Sequence, residues 1–203
     1  MTQKTDLACL QKIPNIEALS LHFKYIEDLV LRENIAIIFQ YLIFLITLDD
    51  NHLLPGAISY IIYKDMIIHT ASITESLLCY GLTKAIEKEK TTLEIMDIRD
   101  DKKYKDFKKL YEISPTEVLG GIIKIKKLVK PRDMQFKDLV PAAIHSGLIN
   151  QSLENELNII RTTRNNIHLS SLNTVDNAYN KSTVIKMFET VKKLKTSIIS
   201  YLN

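Results

Sequence analysis

The chain has 203 residues, of which 46% are hydrophobic and 25% charged, with 5 glycines, 5 prolines and a formal net charge of +3. This length buries a core without disulfide or metal staples and suits a single domain over 1–203. Few helix breakers favour a helical protein, and so small a charge excess excludes an argument for nucleic-acid binding from charge alone.

The charge is unevenly placed. Between Asp101 and Asp138 eleven basic residues stand against six acidic ones. The runs "DKKYKDFKKLY" and "IIKIKKLVKPR" read as solvated lysine faces, with an RNA-tracking surface as the alternative. Cys9 and Cys79 are far apart and form no metal-ligand spacing, so two free thiols in a reducing, cytoplasmic setting are expected.

Taken in chain order, Asn15 is placed to cap a helix to about Leu31, and Asn34 a second one to Leu48. Together they form an N-terminal helical extension over 1–50. The apolar run "IAIIFQYLIFLITL" (35–48) is too short to span a bilayer and contains Gln40; it begins too late to be a signal peptide. A buried core helix is expected there. "DDNHLLPG" (49–56) is turn chemistry, and a long helix should follow from Ala57 to Lys88, with Gly81 a tolerable cost.

The pattern weakens to a charged stretch from Glu89 to Leu110. In "SPTEVLGG", Ser114 reads as an N-cap, Pro115 as the first helical residue and Glu117 as the third residue after the cap, for a helix to Val129. A short helix from Phe136 to Ser146 ends at Gly147. Another opens at Gln151 or Ser152, and a last helix runs from Thr183 to Leu202 with Val184, Phe188, Val191, Ile198 and Leu202 on one face. No alternating strand pattern competes, and the fold class expected is all-α.

The helix "LENELNIIRTTRNNIHLSS" (153–171) carries the chemistry. At about 100° per residue, His168 falls about 20° from Arg161, Asn165 about 40° to the other side and Arg164 about 60° round. Leu153, Leu157, Ile160 and Ile167 occupy the adjoining sector, so the cations border the buried stripe and need partners. Glu75 is the lone formal charge between Asp65 and Lys84, and it is the expected partner of an arginine. His69 reads as an ordinary core histidine making one hydrogen bond.

Histidine moves protons near neutral pH, arginines stabilise a phosphodiester and its transition state, and asparagine adds a neutral donor and acceptor. No acidic cluster for a hard metal accompanies them. The set suits metal-independent RNA cleavage, in which the 2′-hydroxyl attacks its own phosphate; a salt-bridged dimer seam is the alternative. Walker, dinucleotide-binding, zincin, C-x-x-C, nucleophile-elbow and di-iron motifs are all missing.

"IRTTRNNIHLS" resembles the signature of the HEPN superfamily, an arginine followed after four to six residues by a histidine. Arg161 and His168 fit with six residues between them, and the local form includes Arg164, Asn165 and Ile167. "GLINQSLENELNIIRTTRNNIHL" and "DMIIHTASITESLLCYGL" resemble the same proteins, so the likeness covers 57–203. It implies an up-and-down four- or five-helix HEPN-like bundle carrying additional N-terminal helices.

It further implies a homodimer with a composite ribonuclease site, acting as a toxin, an abortive-infection factor or an RNA-processing enzyme. No cofactor or metal is implied. In that frame His168 is the general acid/base and Arg161 the phosphate and transition-state cation, Arg164 and Asn165 position RNA or brace the site, and Glu75 orients an arginine. An antitoxin or defence-system partner is implied as well. Thr162 follows Arg161 where many catalytic members carry a polar Asn or Asp, and Asn165 follows Arg164 instead. The choice of key arginine therefore stays open between the two. Ser170 stands where some members carry a tyrosine modified by a nucleotidyltransferase antitoxin. A non-catalytic dimerisation or binding module is the second functional reading.

Overall fold

The computed structural model describes residues 13–91, 107–122, 130–167 and 179–203. Its described part is mostly helical: α1 (Ile16–Leu21), α2 (Leu29–Asn51), α3 (Gly56–Glu87), α4 (Phe136–His145), α5 (Gln151–Asn165) and α6 (Lys181–Leu202). A 3-10 turn at Pro131–Asp133 leads into α4. One antiparallel hairpin, β1 (Phe107–Ser114) and β2 (Glu117–Ile122), interrupts the helices.

Short polar side chains set the helix starts. Asn15, Asp28, Asn150 and Asn180 each accept a backbone N–H from the first turn of α1, α2, α5 and α6 respectively. α4 stops where Gly147 adopts φ +74°, the left-handed region that glycine enters at no steric cost.

α3 is the axis of the bundle and packs against α2, α4, α5 and α6. Ile67, Leu77, Leu78 and Leu82 on it are fully buried. α6 runs parallel to α3. Lys64 lies over the Tyr179 ring at one end, and Lys88 Nζ donates to the Leu202 carbonyl at 2.7 Å at the other. Between them Gly81 lets the helices close: a Cβ there would stand 2.9 Å from Leu148 Cδ2 and 3.2 Å from Ile198 Cγ1. The glycine expected to be a mere cost is a packing device. α5 runs antiparallel to α6, since Ser197 donates to the Leu148 carbonyl at 2.6 Å and Thr190 to Glu156 at 3.0 Å.

The N-terminal expectation needs correction. α1 ends at Leu21, and α2 begins at Leu29 under Asp28 instead of Asn34. The break is held from outside: the Tyr80 hydroxyl donates to the Tyr25 carbonyl at 2.8 Å and accepts the Glu27 N–H at 3.3 Å. Asn34 is inside the helix, where its amide donates to the Val30 carbonyl. The expected core helix at 35–48 is buried on one side only, through Ile35, Ala36, Leu42 and Leu45. The expectation that it is too short to span a bilayer is corrected: α2 has 23 residues and is, by length and composition alone, long and apolar enough to cross one.

The helix expected from Ser114 to Val129 is also overturned where it is described. Ser114 closes a tight turn, accepting the Thr116 N–H at 3.3 Å, and the chain doubles back as β2. Cap chemistry and turn chemistry use the same residues. The Gly120–Gly121 pair costs about 1 kcal/mol per glycine in a helix interior, while Tyr111, Ile113, Val118 and Ile122 suit strands. Residues 123–129 lie outside the described part. α3, α4 and α6 begin and end within two residues of expectation.

Candidate functional site

The expected site residues fall at the C-terminal end of α5. Leu153, Leu157 and Ile160 face the core and fix the rotation of the helix, which puts Arg161 at the edge of the buried stripe and Asn165 in solvent; Arg164, in line with Leu157 and Ile160, is exposed in the last turn of the helix. α5 ends at Asn165, and the Asn166 N–H caps it by donating to the Thr162 carbonyl at 3.0 Å. Ile167 packs back on the core. His168, the expected general acid/base, lies outside the described residues, as does Ser170.

Arg161 is half-buried, and its Nε donates to Asn158 Oδ1 at 3.2 Å. Arg164 Nη1 donates to Asn165 Oδ1 at 3.3 Å. Both guanidiniums therefore keep donors to spare. Among the described residues neither is ion-paired with a carboxylate.

That finding corrects the expected Glu75–arginine pair. Glu75 is half-buried on α3 and meets neither arginine. The reason is the height of the helices. With Lys64 beside Tyr179, Gly81 beside Ile198, and Glu156 beside Thr190 and Lys193, Glu75 stands level with Glu156. Arg161 lies about 7.5 Å farther along α5, at 1.5 Å rise per residue. Arg161 to Arg164 are thereby level with the 65–70 region of α3.

His69 is no core histidine. It is about a third exposed, its Nε2 lies 3.6 Å from Asp65 Oδ1, and the Tyr41 ring meets it edge-on at 5.2 Å. Tyr41 donates to Asp65 Oδ2 at 2.5 Å, and that bond pushes the phenol pKa up. Cys79 is a free thiol raised by burial, and Cys9 lies outside the described residues.

The first half of α5 holds residues that sequence reasoning missed. Glu156 accepts from Lys193 Nζ at 2.7 Å and from Thr190 Oγ1 at 3.0 Å, and the Lys193 bond holds its carboxyl below the usual range. It lines an open groove of about 890 Å³ between α5 and α6, shared with Asn150, Ser152, Lys192 and Thr196. The helical period sets Glu156 beside Ile160 at the border of the buried stripe, but the matching Lys193 lies 37 residues away and no local signal links them. Among the described residues no group of three or more His, Cys, Asp or Glu side chains is gathered to hold a metal ion.

Comparisons with family models, curated proteins and solved structures find no match to this chain.

Proposed function

We propose that the chain is a metal-independent endoribonuclease of the HEPN type, acting as a defence toxin or an RNA-processing enzyme. The observation that carries this reading is the pair of guanidiniums one turn apart at the exposed end of α5, each free of carboxylates among the described residues. A phosphodiester is the ligand such a pair fits, because planar forks bind its oxygens and offset charge growing on them. The 2′-hydroxyl attacks the adjacent phosphorus, and an imidazole takes its proton. The 5′-oxygen leaves with a proton from a second imidazole, giving a cyclic phosphate. Two copies of the chain supply two His168 residues, which is why a homodimer belongs to the proposal.

The second reading, a non-catalytic binding module, is favoured by the tie of Arg161 to Asn158 and by Arg164 sitting where a cation offsets the helix dipole. Purified protein incubated with labelled mixed-sequence RNA in EDTA, beside His168→Ala and Arg161→Ala prepared identically, separates the two. Cleavage leaving cyclic phosphate ends, and lost in both variants, is expected. Cutting that survives His168→Ala rejects the enzyme reading, and intact RNA throughout moves the weight to the binding module.

A further inference from the structure

Among the described residues, helices α2 and α3 present an apolar face that no other element covers on the outside of the bundle. On α3, Ile58, Ile61, Asp65, Ile68, Ser72 and Ser76 recur every three or four residues and share one side. Ile58, Ile61 and Ile68 are 48%, 65% and 39% exposed. On α2, Ile37 is 49% exposed, and Tyr41 joins the two helices through its bond to Asp65 and its contact with His69. Contiguous exposed apolar side chains of this kind mark interaction surfaces.

We infer that this face binds a second copy of the chain, α3 against α3 in antiparallel sense, about a two-fold axis passing between Asp65 and His69. Two independent properties of the face share that centre. The first is shape. Bulky Ile58 and Ile61 precede it and small Ser72 and Ser76 follow it, so the axis sets Ile58 against Ser76 of the other copy and Ile61 beside Ser72. The second is bonding. Asp65 carries an acceptor-only carboxylate and His69 a ring N–H, and the same axis brings each onto the other across the seam. An isologous interface must be self-complementary in this way. A lipid leaflet would accept the isoleucines but not a carboxylate at their middle.

The pairing deepens the proposed function and rests on it for one consequence only. Arg161 to Arg164 stand level with the axis, so the arginine ends of both α5 helices come to the same height. The test reads mass and not cleavage, which keeps failure of the two readings apart. Sedimentation velocity of the full chain is expected to give a dimer, weakened at least about tenfold by Ile61→Asp at unchanged helicity. Ile58→Ser and Ser76→Ile should each weaken it, and the double variant should restore it, because the swap rebuilds the same contact in reverse.

A monomeric wild type overturns the inference, as does a double variant no tighter than the singles. A dimer indifferent to Ile61→Asp but lost in Arg161→Ala places the seam on α5 and also overturns it. So does a monomer that floats with phosphatidylcholine vesicles and is released by Ile61→Asp. A dimer broken by Ile61→Asp in a protein that cuts no RNA supports the face and removes the nuclease.

Discussion

From Gln151 to Leu157, α5 is tied to the bundle on several sides. Asn150 caps it, Leu153 and Leu157 enter the core, and Glu156 is held by Thr190 and Lys193 of α6. From Asn158 to Asn165 the same helix makes side-chain bonds only within itself, among the described residues: Arg161 to Asn158, Thr162 to the Asn158 carbonyl, Arg164 to Asn165. One half spends its polar groups on neighbouring helices, and the other keeps two cations available. A helix divided in this way can be anchored at one end and present charge at the other, and substitutions in the halves should separate stability from ligand binding.

The largest effect belongs to the anchored half. Leu157 is fully buried, so Leu157→Ala should cost about 3 kcal/mol in lost transfer energy and cavity. For a chain of this size that lowers Tm by about 10 °C, readable by circular dichroism. A shift under about 2 °C would mean that the helix is not seated as described. Thr190→Val comes next. It keeps the shape of a side chain that is 5% exposed and deletes its bond to Glu156, for a cost of about 1 kcal/mol.

How far this contrast is legible in the sequence depends on which contacts are local. Period 3.6 places Leu153, Leu157 and Ile160 inward, Arg161 at their border and Asn165 beyond it, as found; it also sets Arg164 in line with Leu157 and Ile160, yet that side chain is exposed in the last turn of the helix. Caps at Asn15 and the stop at Gly147 are also local and are read correctly. What the sequence hides is decided over distance. Tyr80 breaks the chain at 25–27 from 53 and 55 residues away, and the vertical offset between α3 and α5 separates Glu75 from the arginines. The segment at 114–117 fails for another reason: a serine followed by proline serves a helix cap and a hairpin turn equally well, and the following glycines decide. The apolar 35–48 run reads as core because composition cannot tell a helix buried all round from one buried on one side.

Glu156→Gln sharpens the contrast through pH. The Lys193 bond lowers the Glu156 pKa, so the pair's stabilisation is complete above the ordinary carboxylate range and fades as pH falls through the lowered pKa. Both groups are partly exposed, which limits the loss to about 0.5 kcal/mol at neutral pH. Wild type should therefore melt slightly higher than Glu156→Gln near pH 7, with the two curves converging in acid. A gap that persists at the lowest pH would assign the effect to packing in the groove instead of charge.

The smallest stability change should come from Arg164→Ala at the untied end, and that smallness makes the variant useful. Its side chain is exposed and its one described bond is to the neighbouring Asn165, so only its favourable contact with the helix C-terminus is lost, about 0.3 kcal/mol. If the end of α5 receives a phosphate backbone, the same substitution removes one cation from the ligand. RNA affinity should then fall, and the slope of log affinity against log salt should shrink by about 0.7 for a single strand. A Tm loss approaching that of Thr190→Val, with an unchanged salt slope, would show that the arginine braces the helix. An unchanged Tm with a reduced slope is the signature of a charge kept free for binding.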